Sequence, residues 1–259
     1  MISITPLFSG SKGNCSLVRS DNTNILLDIG YGYKSTVDAL RQLGVSPADI
    51  SAIVVTHEHS DHIGGLPLWT RHFPTKVYAP RQIVDLVCQR SYCSEVNEAT
   101  ESFIVNDITV QHYVCSHDAC GCFGYKFTCD NQSVASVTDT GCVSDLLVDF
   151  LSDCDTVQLE SNHDVDMLKK GDYPYRLKVR IASDYGHLSN DQAAQVIKRL
   201  VGSKVKNVIL AHLSENNNTA EMAFSSAVDA LSSCGVMEGR DIFVYVAKQV
   251  FDINNVICK

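Results

Sequence analysis

The chain has 259 residues, 45% of them apolar, with a mean hydropathy of -0.01, which is the composition of an ordinary folded protein and excludes a disordered or collagen-like chain. Acidic residues number 30 against 21 basic ones, a formal net charge of -9, so the surface as a whole does not attract phosphate backbones or anionic membranes and any nucleic-acid site has to be local. No basic and apolar leader opens the sequence, and no apolar run approaches the roughly 18 residues that span a bilayer, so a cytoplasmic protein with no membrane partner is expected.

In chain order, apolar runs at Ile2–Leu7 and Asn24–Leu27 flank the turn Ser9-Gly10-Ser11-Lys12-Gly13-Asn14 and read as strands. From Ser35 the spacing of Val37, Leu40 and Leu43, stopped by Gly44, predicts a helix, and Ile50–Thr56 returns to strand. Further strands are expected at Ile108–Val114, Gly124–Cys129 and Ser133–Val137, then a helix over Val143–Leu151 and a strand at Thr156–Leu159. Gln192–Val201 and Thr219–Ser233 read as amphipathic helices around a strand at Val208–Ala211, and Ile242–Val246 as a late strand. An Asp-x-Gly closes a strand in each half, at Asp28-Ile29-Gly30 and Asp139-Thr140-Gly141. No Pro/Ser/Gly linker divides the chain, so a single domain over 1–259 with two β-rich halves and no inserted domain is expected. The 11 cysteines, scattered from Cys15 to Cys258 without a C-x-x-C pair, fit neither a zinc ribbon nor a disulfide framework and read as reduced, mostly apolar side chains.

The strongest chemical signal is His57-Glu58-His59-Ser60-Asp61-His62, directly after an apolar strand and directly before Ile63-Gly64-Gly65. At the carboxyl end of a strand His57 and His59 point to one side while Asp61 and His62 lie on the turn beyond, so one short peptide can face two metal ions. The metalloprotease motif H-E-x-x-H needs His where Asp61 stands, which removes Glu58 as a protease base. His117, Asp139 and His212 each sit at a strand-to-loop junction and are the remaining candidate ligands. Asp28 reads as a carboxylate that orients a ligand, and His72 and His112 as structural.

The run T-H-E-H-S-D-H-I-G-G resembles the metal signature of the metallo-β-lactamase superfamily, and His117, Asp139 and His212 fall where that family's later motifs fall. The resemblance implies an α+β fold, a four-layer αββα sandwich, with two divalent metal ions (zinc, manganese or iron). One would be held by His57, His59 and His117, the other by Asp61, His62 and His212, with Asp139 bridging. Hydrolysis is the reaction it implies, with Asp61 in the metal-holding machinery. Flavodiiron members resemble H-x-E-x-D, and His59 argues against that branch.

The opening Ser9–Asn14 turn together with Leu159-Glu160-Ser161-Asn162-His163-Asp164, Tyr185-Gly186-His187-Leu188-Ser189-Asn190 and Ala211-His212-Leu213-Ser214-Glu215-Asn216-Asn217 is similar to the YycJ (WalJ) exonuclease branch, and also to ribonuclease Z. The inserted domain of ribonuclease J is not evident. This likeness implies a phosphodiesterase acting on nucleic acid, a 5′ to 3′ exonuclease tied to DNA repair, in which Glu160 and His187 assist departure of the leaving oxygen. Ser161, His163 and Asn217 would line the substrate pocket. Lys169, Lys170, Arg176, Lys178 and Arg180, with Tyr173 and Tyr175 interleaved, offer charges for phosphates and rings for bases. The alternative for that segment is an exposed basic strand or loop that balances an acidic protein. The alternative for the whole chain is hydrolysis of a small ester, thioester, lactone or cyclic phosphodiester, or a metal-stabilised binding module.

Overall fold

Strand pairing in the computed structural model, which describes residues 1–93 and 95–253, explains why the candidate ligands sit at strand ends. Among the described residues the chain divides into two compact units: residues 1–114, 119–132 and 248–253, and residues 115–118 with 133–247.

In the first unit, β1 (Ser3–Phe8), β2 (Cys15–Arg19), β3 (Asn24–Leu27), β4 (Ile50–Val54), β5 (Lys76–Ala79) and β6 (Val96–Glu98) form one sheet in sequence order. The β1–β2 and β2–β3 pairs are antiparallel and the rest parallel. Helix α1 (Tyr33–Gln42) connects β3 to β4, the short α2 (Ser60–Ile63) and α3 (Leu66–His72) connect β4 to β5, and α4 (Val84–Arg90) leads into β6. Leu7, Leu26, Ile53, Val55, Trp69 and Val77 form the buried centre of this unit. Three antiparallel strands follow, β7 (Ser102–Val105), β8 (Ile108–Val114) and β9 (Phe123–Cys129), with Val110, Tyr125 and Phe127 fully buried.

In the second unit, β10 (Gln132–Val137), β11 (Thr156–Glu160), β12 (Asn207–Ala211) and β13 (Phe243–Val246) are all parallel. Their register aligns Val137 with Leu159, Leu159 with Leu210 and Leu210 with Val246, so the residues that follow emerge along one edge. Helix α5 (Asp145–Ser152) is capped by Ser144, α6 (Val165–Lys170) by Asp164, and α9 (Ala220–Ser233) by Thr219. Helix α8 (Asn190–Leu200) begins with a reciprocal capping box between Ser189 and Gln192 and buries Ala193, Val196, Ile197 and Leu200. Helix α7 (Tyr175–Ile181) lies between α6 and α8 in the chain.

Element boundaries agree with the sequence reading to within one or two residues at α1, β8–β12, α5, α8, α9 and β13. The basic segment is corrected: it is helical, as α6 and α7, because Leu168 and Ile181 are buried anchors on either side of the Gly171–Pro174 break. The sequence reading also left out β2, β5, β6, α3 and α4. His72 stacks on Tyr33 and His112 on Phe123. The ten cysteines among the described residues are free thiols; Cys258 lies outside the described residues. Among the described residues no helix is long and apolar enough to cross a membrane.

Candidate metal centre

In the first unit the H-x-H-x-D-H segment leaves β4 and immediately turns into α2. His57 and His62 are fully buried, His59 and Asp61 partly so. The ring of His57 lies 4.6 Å from that of His59 and 4.0 Å from that of His62, and Asp61 Oδ2 is 3.6 Å from His62 Nε2. Asp28 sets this arrangement from the neighbouring strand end. Its Oδ1 accepts from the Thr56 amide at 2.8 Å, and its Oδ2 accepts from Thr56 Oγ1 at 2.9 Å and from His62 Nδ1 at 2.8 Å. Burial pushes the Asp28 carboxyl up, while His62 and Thr56 pull it back.

Two residues that the sequence reading did not assign to the site hold it in shape. Thr56 Oγ1 lies 3.0 Å from His57 Nδ1, and Asn14 Nδ2 lies 3.0 Å from His62 Nε2. The backbone of Asn14 donates to Asp61 O and accepts from Gly30, tying the opening turn to α2. A Cβ on Gly30 would fall 1.6 Å from Asp61 O, so only glycine allows that approach. The signal available for Asn14 was its place at the end of a Ser/Gly-rich turn.

In the second unit the parallel register delivers Asp139, Glu160 and His212 to one edge, and the loop before α8 adds His187. Donor atoms of these four all lie within 4.8 Å of one another. Glu160, fully buried, is their hub: its Oε1 accepts from His187 Nδ1 at 2.9 Å and His212 Nδ1 at 2.8 Å, and its Oε2 accepts from the amides of Thr140 and Leu188. Burial by itself would raise the Glu160 carboxyl, but the charge of His187 and the hydrogen bonds from both imidazoles outweigh it and bring the pKa to about 2. Asp139 Oδ1 lies 3.3 Å from His212 Nδ1 and 3.8 Å from His117 Nε2. His117 Nδ1 lies 3.1 Å from the Gly186 carbonyl, and burial holds its pKa below the ordinary imidazole value against the pull of Asp139. Asp28, Asp139 and His212 all take left-handed backbone conformations, with φ of 58°, 58° and 57°.

The donor chemistry fits divalent metal ions. An ionised carboxylate or a carbonyl can only accept, so His62, His117 and His212 carry their proton on Nδ1, toward Asp28, Gly186 and Glu160; this presents Nε2 of His117 and His212 as a ligand atom, while a metal at Nε2 of His62 would displace the Asn14 amide, 3.0 Å away. Anchoring the far nitrogen of a ligating histidine in this way fixes tautomer and orientation. A mixed set of imidazoles and carboxylates suits zinc, manganese or iron.

The remaining sequence candidates separate. His163 is 2% exposed and forms a bridge with Ser189, beside the Glu160–His187 pair. Ser161 and Asn217, expected to line the pocket, are 1% exposed and tied inward: Ser161 Oγ donates to Asn190 Oδ1, and Asn217 bonds Ser214 Oγ through its backbone and side-chain nitrogens. Both hold loops rather than face solvent. Lys170 pairs with Asp166 and Arg180 with Asp118, whereas Lys169 and Arg176 have no carboxylate partner among the described residues. Lys178 Nζ donates to the Lys169 carbonyl at 2.7 Å.

Comparison with known proteins adds three findings. The profile of the metallo-beta-lactamase superfamily matches residues 9–212. The chain is 35% identical over 248 residues to the exodeoxyribonuclease WalJ of Streptococcus pneumoniae serotype 2, covering 92% of this chain and 91% of that protein, and 37% identical over 242 residues to the exodeoxyribonuclease YycJ of Bacillus anthracis, covering 90% of each. Among solved structures, the metallo-beta-lactamase fold protein YhfI from Bacillus subtilis superposes with a TM-score of 0.73 at 16% identity, over 97% of this chain and 98% of that one.

Proposed function

Because the chain belongs to the metallo-β-lactamase superfamily and has its α+β fold, we propose that it is a metal-dependent phosphodiesterase that degrades DNA from an end, working 5′ to 3′. The observation that carries this reading is the Glu160–His187 pair at 2.9 Å, a charge-assisted hydrogen bond beside Asp139 and His212. The names of the relatives at 35–37% identity support the substrate class.

Two divalent ions are part of the proposal: His57, His59 and His117 would hold one and Asp61, His62 and His212 the other, with Asp139 as a further ligand. Such ions, when bound, supply Lewis acidity toward a phosphate and bring the pKa of water toward neutrality. The protein's own groups do the rest. His187 Nδ1–H is committed to Glu160, which leaves Nε2 to carry a second proton and release it to the departing oxygen. Glu160, ionised at any working pH, stabilises the imidazolium before transfer and keeps the ring in one orientation. Lys169, Arg176 and Lys178 are the cations available for phosphates, since Lys170 and Arg180 are each engaged by a carboxylate. The two units are read as halves of one catalytic domain, supported by a family match that runs through both. The proposed compartment is the cytoplasm, supported by thiols such as Cys15 and Cys154 packed as buried apolar groups.

Asp61→Ala and His187→Ala, assayed on labelled single- and double-stranded DNA and on RNA alongside elemental analysis, test the proposal. Asp61→Ala is expected to lose metal and activity together, and His187→Ala to keep its metal while kcat falls about 10²–10⁴-fold. Undiminished cleavage by both variants, or turnover of a lactone, thioester or cyclic phosphodiester with none of any polynucleotide, overturns it.

A further inference from the structure

Beside the Glu160–His187 pair, and not used by it, the second unit contains a cavity of about 580 Å³, within the ~300–1,000 Å³ of ordinary small-molecule sites. Its walls are apolar side chains of α6 and α7, Leu168 and Val179 among them; the ring of Tyr175, 80% exposed, stands at its mouth, and Lys169 and Lys178 line it as well. Besides the two lysines, three polar residues line it, His163, Ser189 and Gln192, and the last two are engaged with each other in the α8 capping box. His163 is 2% exposed, and its Nδ1 is buried without a hydrogen-bond partner among the described residues. A buried ring nitrogen in that state is costly, so a ligand group that reached it would gain a hydrogen bond.

The pocket is also coupled by backbone to the reacting region. The Asn162 amide donates to Leu188 O and the Asn190 amide to His163 O, so the segment that carries His163 is laced to the one that carries His187. The occupant that satisfies all of these features has a flat apolar body, a hydrogen-bonding edge and an attached negative charge. A lipid tail would leave His163 Nδ1 unanswered, and a neutral ester would leave two ammonium groups without a counter-charge.

We propose that this cavity receives a single unpaired nucleobase at the end of the strand being degraded, with His163 Nδ1 bonded to its edge, Tyr175 stacked on its face and Lys169 and Lys178 against the adjoining phosphates. This rests on the nuclease reading above and deepens it: the substrate is a strand end whose terminal base is free of its partner. Stacking on an exposed aromatic is tolerant of base identity, so the pocket selects for the presence of a base rather than for a sequence.

The test uses metal-loaded protein and a twelve-nucleotide single-stranded DNA with phosphorothioate linkages and a terminal 2-aminopurine, compared with the same strand made abasic at the 5′ or at the 3′ terminus. Anisotropy is expected to show at least tenfold tighter binding when the 5′-terminal base is present than when it is absent, with quenching of 5′-terminal 2-aminopurine emission and no such preference at the 3′ terminus. Val179→Trp, at a position 50% exposed, fills the cavity, and Tyr175→Ala removes the stacking face. Each is expected to cut the discrimination to under threefold while metal content and melting temperature stay at wild-type values. Equal affinity of wild type for intact and abasic probes, or full discrimination by Val179→Trp, overturns the pocket. Cleavage of ordinary DNA alongside that indifference removes the pocket alone, whereas neither binding nor cleavage of any oligonucleotide removes the nuclease reading with it.

Discussion

His163 is an imidazole held neutral by its surroundings: burial lowers its pKa to about 4, although the nearby Glu160 carboxylate pulls the other way. The unfolded chain, with a pKa of 6.5, takes up the proton first on acidification, so the native state loses stability as pH falls from 6.5 to about 4 and gains nothing further above 6.5. His163→Gln removes this slope. Denaturant titrations of chelator-treated protein between pH 7 and 4.5 should show wild type losing roughly 2.5 kcal/mol more than the variant; parallel curves would contradict the assignment. At this scale the sequence was most informative where ligand types crowd together. His57, His59, Asp61 and His62 stand out because four donors in six positions have few structural uses. Asn14 and Thr56 do not stand out, because small polar residues are common and Asn14 acts on a segment 47 residues away, through a backbone path no spacing rule encodes. Ser161 and Asn217 were drawn toward the pocket by their neighbours in sequence, yet both face inward.

Two glycines close the strand ends at which the ligands gather, and each is fixed by a backbone approach. Gly30 lies against Asp61 O, and a Cβ on Gly141 would fall 2.4 Å from Ser183 O. Gly30→Ala must push α2 away from β3 and disturb Asp61 and His62 together. It is expected to destabilise the fold by about 1–3 kcal/mol and to weaken metal binding at least tenfold, read by chemical denaturation and by metal titration. Retention of wild-type metal affinity would show that the Gly30 contact does not set the ligand geometry. Most strands and the longer helices were legible because their apolar periods are regular over five or more residues. The basic stretch was not: Gly171, Asp172 and Pro174 interrupt it, its two helices have six and seven residues, and only the buried Leu168 and Ile181 reveal them.

In a protein of net charge -9, carboxylates and imidazoles gathered at strand ends should gain stability from a bound cation, so metal binding and folding are expected to be linked. With each of two ions at about a hundredfold over its Kd, binding adds about 2.7 kcal/mol per site, about 5 kcal/mol in all, to the native state. Chelation should therefore lower the melting temperature by about 10–20 °C in calorimetry, with recovery on adding zinc or manganese. A melting temperature indifferent to chelator would mean that the ligand set binds nothing. Family, fold class and reaction type were legible in the sequence because the T-H-E-H-S-D-H-I-G-G run resembles the metal signature of the superfamily. The role of Glu160 in holding two histidines at once was not, since it depends on the parallel register of β11 and β12.

The left-handed torsions at Asp28, Asp139 and His212 carry a practical warning for anyone evolving this scaffold. Each costs roughly 1 kcal/mol of backbone strain that glycine would relieve. Glycine at Asp28 or His212 would relieve that strain but forfeit the buried hydrogen bonds to Thr56, His62 and Glu160, so a screen rewarding heat resistance should leave these costly torsions in place, and a loss of them would report a relaxed rather than a fortified scaffold.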